Sequence, residues 1–159
     1  MTGTNDGDKG RKSGGPVLSA SELEEVLART LPAVDHHGEV VEKVGDGVIR
    51  LRLPYQALFS APVTINGITA SAYSGPLVMG FADTAMYACI MADQGRAAVP
   101  FMISYTIGFL SAARPVDLIA EARIVRRGRR MFYVECWLTS DGDAEPSAHI
   151  TSTYQVMRA

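Results

Sequence analysis

The chain has 159 residues, with 15 Lys and Arg against 17 Asp and Glu, a formal net charge of -2, and 47% apolar residues. This length fits one domain whose core is large enough to fold without disulfides or metals. The near-neutral charge argues against nucleic acid as a partner, because surfaces that bind phosphates are usually strongly basic. Cys89 and Cys136 lie in apolar runs, so we interpret them as buried thiols of a reducing compartment rather than as a disulfide or a metal site.

The first residues of the chain are polar and rich in glycine. They lack the apolar segment of a signal peptide, and we expect residues 1–18 to form a disordered tail before a single domain at 19–159. The longest apolar run, 77–92, contains Asp83, which disfavours insertion into a bilayer. The sequence therefore predicts a cytoplasmic protein that does not associate with membranes.

Three segments are expected between the tail and the apolar run. Ser19 and Glu22 have the spacing of a capping box, which predicts a helix reaching Thr30. Two short strand-like segments, 39–44 and 48–53, predict an antiparallel hairpin, because Ile49, Leu51 and Leu53 alternate with Val48, Arg50 and Arg52 in the second. Residues 54–74 contain Pro, Asn, Gly and Ser, and we expect only short ordered pieces there.

The apolar run predicts one long helix at 76–94, because it is rich in Ala, Leu and Met and begins with a proline. Four strand-like segments follow, at 101–110, 118–126, 131–139 and 148–157. One central helix followed by a meander of strands indicates an α+β fold rather than βαβ units.

The predicted helix is apolar nearly all round, which is typical of a helix surrounded by other structure. Asp83 lies two turns from its start. The positions three and four residues away hold Met79, Gly80, Met86 and Tyr87. No cation is therefore available on the helix, and a buried carboxylate without a partner is costly. Asp83 is expected either to face a cleft, to be solvated at an edge, or to bond a backbone amide or a hydroxyl such as that of Thr84.

Gly75 stands just before the proline, where we expect it to be the N-cap with its N–H free at the positive end of the helix dipole. Such an amide can bind developing negative charge, as in an oxyanion hole. Asp83 is eight residues further on, a rise of about 12 Å along a helix. The two groups of one chain are too far apart to act on one atom, so their cooperation would require a symmetric dimer with antiparallel helices.

Residues 74–85, SGPLVMGFADTA, resemble the helix-start motif of the PaaI-type or 4-hydroxybenzoyl-CoA-type hotdog thioesterases. That motif reads His-Gly-Gly, an apolar run, and then Asp or Glu eight places after the first glycine. Residues 107–123, 127–130 and 148–154 resemble the later strands of the family, and the similarity covers roughly residues 37–157.

The resemblance implies a hotdog fold, in which an antiparallel sheet wraps around one long helix, and a dimer that often forms tetramers. It implies hydrolysis of acyl-CoA thioesters with no metal and no cofactor besides the coenzyme A of the substrate. In this scheme the N–H of Gly75 polarises the thioester carbonyl. Asp83 comes from the other subunit and acts as general base or nucleophile.

Two positions depart from the family pattern. Ser74 replaces the histidine and cannot carry charge near neutral pH, whereas Pro76 replaces the second glycine and leaves the N–H of Gly75 intact. A hydroxyl that some relatives place on the strand after the helix falls at Met102 here, and Ser104, expected on the same strand face, is its possible substitute.

The remaining candidates carry weaker signals. Tyr87, one turn beyond Asp83, either reaches the cleft or packs in the core, and the amides of Gln56 and Asn66 precede the helix. A predicted turn at residue 128 is flanked by four arginines, Arg126, Arg127, Arg129 and Arg130. These side chains are either solvated or hold the phosphates of coenzyme A. The candidate substrate-binding residues are Ser74, Pro76, Tyr87, Ser104, Asn66, Arg127 and Arg129.

Two rival functions remain open. A hotdog hydratase or dehydratase needs an acid with a nearby histidine; His36 and His37 are expected in a surface loop and His149 on a solvated strand, which disfavours it. The other alternative is a non-catalytic acyl-CoA-binding or regulatory hotdog protein. Ser74 favours that alternative and Asp83 opposes it.

Overall fold

The computed structural model describes residues 15–158, so most of the predicted tail lies outside the described residues. The helices and strands in chain order are α1 (Ala20–Thr30), β1 (Val40–Gly45), β2 (Val48–Leu53), a 3₁₀ helix (Ala57–Phe59), β3 (Ser60–Ile65), β4 (Ile68–Tyr73), α2 (Gly75–Gln94), β5 (Ala98–Phe109), β6 (Leu118–Arg127), β7 (Met131–Ser140) and β8 (Ala148–Arg158). Val17 donates its N–H to the carbonyl of Ala92 at 2.7 Å, and Leu18 is buried. Contact with α2 therefore begins before residue 19.

Helix α1 begins with the predicted capping box. The N–H of Ser19 donates to Glu22 at 2.9 Å, and the N–H of Glu22 donates back to the Ser19 hydroxyl. Leu23 and Leu27 bury the inner side of the helix, while Glu24 on the same helix accepts the N–H of Val41 at 2.8 Å. These contacts join α1 to the first strand of the sheet.

Six strands form one antiparallel sheet in the order β1-β2-β6-β7-β8-β5. Burial alternates along β8, where Ile150, Ser152 and Tyr154 face inward and the residues between them face outward. Helix α2 packs across the inner face, with Ala85, Met86 and their neighbours almost fully covered. The predicted α+β architecture, a sheet wrapped around one long helix, is confirmed.

The hairpin before α2 differs from the prediction. Residues 54–74 were expected to be irregular, but they contain the 3₁₀ helix and a two-stranded sheet of β3 and β4. Asn66 and Gly67 form its tip with φ of 51° and 77°, the geometry of a type I′ turn. Nearly every residue of the hairpin is exposed, so the apolar alternation that marks a half-buried strand is missing.

Helix α2 begins one residue earlier than predicted. Ser74 is the N-cap and Gly75 is the first helical residue, so the assignment of Gly75 to the N-cap is wrong. The N-cap keeps extended backbone angles, and here the carbonyl of Ser74 accepts the N–H of Val78 at 3.1 Å. By length and composition alone α2 could cross a membrane, but most of it is buried inside the fold, as in a core helix.

A bulge in β5 changes the face on which Ser104 lies. Met102 pairs with Tyr154, but Ser104 pairs with Thr153, because the register shifts between residues 102 and 104. Paired residues of antiparallel strands point to the same face, so Met102 lies on the inner face with Tyr154 and Ser104 lies on the outer face with Thr153. The expectation that Ser104 shares the face of Met102 is therefore wrong, and Tyr105 takes the inward position.

Candidate active site

A pocket of about 390 Å³ lies between the start of α2 and the loop that follows α1. The loop side consists of Leu31, Val34, Asp35 and His37. The helix side consists of Pro76, Leu77, Gly80, Asp83, Thr84 and Tyr87. Asp83 therefore faces a cleft rather than the sealed core, and the pocket combines an apolar floor with a few polar groups, as small-molecule sites do.

The carboxylate of Asp83 is partly buried and bonded from the sheet. Its Oδ1 accepts a hydrogen bond from the hydroxyl of Tyr154, which lies on the inner face of β8 and is 1% exposed. Tyr105 lies nearby on β5 but donates its hydroxyl to the carbonyl of Met79 at 2.9 Å. Thr84, one of the partners considered from the sequence, lines the pocket instead.

The pKa of the Asp83 carboxyl is raised above its ordinary value. Burial is the main cause, because it disfavours the charged form. The hydrogen bond from Tyr154 lowers the pKa in part, and the negative charge of Asp35 raises it further. A carboxylate with a raised pKa is a stronger base than an exposed one and is typical of catalytic sites.

Gly75 is held at the start of α2 by backbone hydrogen bonds of the two residues that precede it. The N–H of Ser74 donates to the carbonyl of Phe59 at 2.9 Å, and the N–H of Tyr73 donates to that of Ala113 at 3.0 Å. As the first helical residue, Gly75 has an N–H with no acceptor within the helix. Gly75 is outside the set of residues that line the Asp83 pocket, although the next residue, Pro76, lines it.

His37 reaches the pocket, which the sequence reasoning missed. Its backbone N–H donates to both carboxylate oxygens of Glu39 at 3.1 Å, and its ring packs edge-on against Phe59 with 5.3 Å between centroids. The Glu39 side chain is 1% exposed and also bonds the ring of His36 at 2.7 Å. A buried carboxylate two residues away thus shapes the loop locally, whereas the packing of His37 against Phe59 and the approach of the loop to α2 join distant parts of the chain and carry no local sequence signal.

The other predicted residues divide into two groups. Pro76 and Tyr87 line the pocket with Asp83. Ser74 is an exposed N-cap, Asn66 is at the exposed hairpin tip, and Ser104 is on the outer face of the sheet. Gln56 is exposed, with its amide 3.5 Å from the carbonyl of His37. The structure therefore does not bring these four residues into the pocket of the same chain.

The two predicted arginines also differ from each other. Arg127 pairs with the buried Asp93 at 2.9 Å and with Asp46 at 2.6 Å, so its charge is already compensated within the fold. Arg129 lies in the exposed turn between β6 and β7. Of the two, Arg129 has the geometry of a residue available to a phosphate.

Residues 15–158 contain no cluster of three or more His, Cys, Asp or Glu side chains able to hold a metal ion. Cys89 and Cys136 are free and buried. Burial raises the pKa of the Cys89 thiol to about 12, so it is protonated and not a nucleophile.

Comparison with known families identifies the region that carries this site. Residues 73–147 match the model of the Thioesterase superfamily. The matched segment contains Gly75, Asp83 and the whole of α2. The resemblance inferred from the helix-start motif is confirmed, and this match supports hydrolysis of a thioester in general terms. No curated protein matches the chain.

Solved structures show the same fold. A protein described as a candidate thioesterase from Silicibacter sp. TM1040 is 25% identical over 89% of this chain and 94% of its own, with a TM-score of 0.78. A mutant thioesterase from Pseudomonas aeruginosa is 16% identical. The match covers 90% of this chain and 96% of that protein, with a TM-score of 0.73. A phenylacetic acid degradation-related protein from Ralstonia eutropha JMP134 is 21% identical. The match covers 84% of this chain and 98% of that protein, with a TM-score of 0.66.

Proposed function

We propose that the protein is an acyl-CoA thioesterase, which hydrolyses acyl-CoA to a free acid and coenzyme A. The observation that carries the proposal is Asp83, a partly buried carboxylate of raised pKa that lines a pocket at the start of the central helix. The match of residues 73–147 to the Thioesterase superfamily supports the reaction class. The acyl-CoA substrate and the roles of individual residues are our proposals.

In the proposed reaction, Asp83 takes a proton from water as the water oxygen attacks the thioester carbonyl carbon. The carbonyl oxygen becomes an oxyanion, which the N–H of Gly75 of the partner subunit stabilises at the helix N-terminus. Collapse of the tetrahedral intermediate breaks the carbon–sulfur bond and releases the thiolate of coenzyme A. The proton held by Asp83 is then passed to the thiolate or to solvent.

The assembly in this proposal is a dimer, which can pair further into a tetramer. Strand β5 supports it, because this 12-residue strand is at one edge of the sheet and pairs only with β8 in the described chain. Phe101, Ile103 and Phe109 expose about half of their surface along it. A long, apolar edge strand is a template for pairing with another chain.

The test of the activity is release of free coenzyme A from a panel of acyl-CoA thioesters by the wild type and by Asp83→Asn. The proposal predicts loss of turnover with the dimer retained. Asp143→Asn is the matched control, since that carboxylate lies in an exposed loop and pairs with Arg114 at 2.6 Å. Wild-type protein that binds acyl-CoA without hydrolysing it would instead establish the non-catalytic binding alternative.

The test of the shared site uses mixed dimers. Gly75→Pro removes the N–H, whereas Gly75→Ala keeps it and adds a methyl group that would lie 3.9 Å from the ring of Phe109, an ordinary van der Waals contact. The proline variant should therefore lose far more activity. Mixing inactive Asp83→Asn with inactive Gly75→Pro should restore roughly a quarter of the wild-type activity, because half of the dimers then contain one intact site. No restoration would show that both residues act within one chain.

Isotope labelling separates the two roles considered for Asp83. With a general base, the first turnover in ¹⁸O-water places the label in the released acid. With a nucleophile, an anhydride forms and the first turnover can transfer an unlabelled carboxylate oxygen of Asp83 to the product. Unlabelled acid from a single turnover, detected by mass spectrometry, would therefore establish Asp83 as the nucleophile.

One observation favours a second enzymatic function. His37 lines the pocket together with Asp83, so the ground on which a hydratase or dehydratase was disfavoured, the distance of every histidine from the helix, does not hold in the structure. The same panel should therefore include an enoyl-CoA. Its hydration is measured as the decrease in the absorbance of the enoyl group. Hydration without release of coenzyme A would replace the thioesterase proposal.

A further inference from the structure

The hydroxyl of Tyr154 is a fixed donor to the proposed base. It donates to Oδ1 of Asp83 and lies 3.5 Å from the carbonyl oxygen of the same residue. The tyrosine is 1% exposed and stands on β8, with β5 and β7 paired on either side. Because its ring is enclosed by the core, the hydroxyl cannot turn away from Asp83 without disturbing the packing around it.

The second tyrosine close to Asp83 does not perform this task. Tyr105 faces inward on β5, but its hydroxyl is used by the carbonyl of Met79 at 2.9 Å. Among the residues that the structure describes, Tyr154 is the side chain that hydrogen-bonds the Asp83 carboxylate. The bond joins α2 to the strand that lies next to the edge strand of the sheet.

We propose that Tyr154 is a positioning residue for the reaction proposed above, holding Oδ1 of Asp83 so that Oδ2 is presented to the pocket. This inference rests on the proposed function and deepens it. A carboxylate at the end of a flexible side chain can rotate, and a base that is misplaced by about 1 Å can cost a factor on the order of 100 in rate. A hydrogen bond from a rigid donor removes that freedom.

The hydrogen bond from Tyr154 also affects the pH at which Asp83 ionises. A donor to the ionised carboxylate favours the charged form, whereas burial disfavours it, and these opposite effects act together on the Asp83 pKa. The ionisable or charged groups that face Asp83 are Asp35 and His37 from the loop after α1, Tyr105 and Tyr154 from the sheet, and Tyr87 from its own helix. Loss of the Tyr154 hydroxyl removes the hydrogen bond that lowers the Asp83 pKa.

The experiment compares the wild type with Tyr154→Phe in two measurements. A carbon-13 NMR titration of the Asp83 carboxyl reports its pKa directly, and the pH profile of kcat reports the ionisation that catalysis needs. We expect both to move upward by about 1 pH unit or more, the usual size for a hydrogen bond to a charged group. We also expect kcat on the plateau to fall roughly 10-fold to 100-fold.

Tyr133→Phe is the matched control, because Tyr133 is 40% exposed on β7 and pairs with Thr153 on the outer face of the sheet. If Tyr154→Phe does not fold, 3-fluorotyrosine placed at position 154 keeps the ring and makes the hydroxyl a stronger donor. That variant should move the titration of Asp83 to lower pH, the direction opposite to Tyr154→Phe.

An unchanged Asp83 titration and an unchanged pH profile in folded Tyr154 variants would overturn the inference. Failure of the proposed function has a different signature. In that case the wild type releases no coenzyme A, while the Asp83 titration still responds to Tyr154→Phe and supports the role of Tyr154 in holding the carboxylate.

Discussion

His37 and Asp83 line one pocket, although His37 lies in the loop after α1 and Asp83 in the middle of α2. The histidine backbone is bonded to the buried Glu39, and its ring contacts Phe59. These contacts set the position of the imidazole before any substrate enters. The pocket therefore presents an imidazole and a carboxylate.

His37→Gln tests whether this imidazole contacts the substrate. We expect kcat/KM for the best acyl-CoA to fall roughly 3-fold to 10-fold, which corresponds to the loss of one hydrogen bond of about 0.5–1.5 kcal/mol. His149→Gln is the control, because His149 lies on the outer face of the sheet and pairs with Glu135 at 2.8 Å. Equal steady-state kinetics for both variants and the wild type would exclude a role for His37.

Activity should fall on the acidic side at a pH above that of an ordinary aspartate. Asp83 must be ionised to accept a proton, and its pKa is raised by burial and by Asp35, so activity is lost as the pH falls through that raised pKa. Asp35→Asn removes a negative charge that raises the Asp83 pKa. The substitution should therefore shift the acidic limb of the kcat/KM profile to lower pH. A shift in the other direction, or the same shift in Asp143→Asn, would contradict this electrostatic account.

Asp83→Asn should make the folded protein more stable while it removes activity. A carboxyl whose pKa is raised by folding binds its proton more tightly in the folded state, so its contribution to stability is largest at acidic pH. That contribution declines as the pH rises from the unfolded pKa through the folded one. At neutral pH the asparagine avoids the cost of a partly buried charge, and urea unfolding should show a gain of about 1 kcal/mol. This gain should shrink at low pH.

Arg127→Ala should destabilise the fold by about 2 kcal/mol. The arginine compensates Asp93, whose side chain is 7% exposed, and also reaches Asp46 in the turn between β1 and β2. Removing the cation takes a charged hydrogen-bond donor away from a buried carboxylate. Arg123→Ala, at a side chain that is 64% exposed, should cost less than about 1 kcal/mol. Chemical unfolding of both variants gives the comparison.

Arg129→Ala should weaken binding of the nucleotide part of coenzyme A. Arg129 is exposed in the turn between β6 and β7, where a guanidinium can bind a phosphate. We expect the KM for acyl-CoA to rise several-fold and the KM for the matching acyl-pantetheine, which lacks the nucleotide phosphates, to stay constant. An equal rise for both substrates would place the effect elsewhere.

Local pattern was sufficient for the helices and for the strands of the large sheet. The capping box of α1 depends on residues three apart, and the apolar composition of α2 is a property of consecutive residues. Strands β2 and β6 to β8 carry alternation or turns that are visible within ten residues. The exposed hairpin of β3 and β4 was missed because it buries little apolar surface and so has no such pattern.

By itself, the sequence determined that a long apolar helix carries an acid at Asp83 and begins beside a glycine, because both features lie on one continuous segment. Only the tertiary structure decided what surrounds that acid. Tyr154 and His37 reach it from distant parts of the chain, and a single bulged residue in β5 turns Ser104 to the outer face. Such contacts depend on register and packing between elements, and a shift of one residue in a strand reverses the side to which its side chains point.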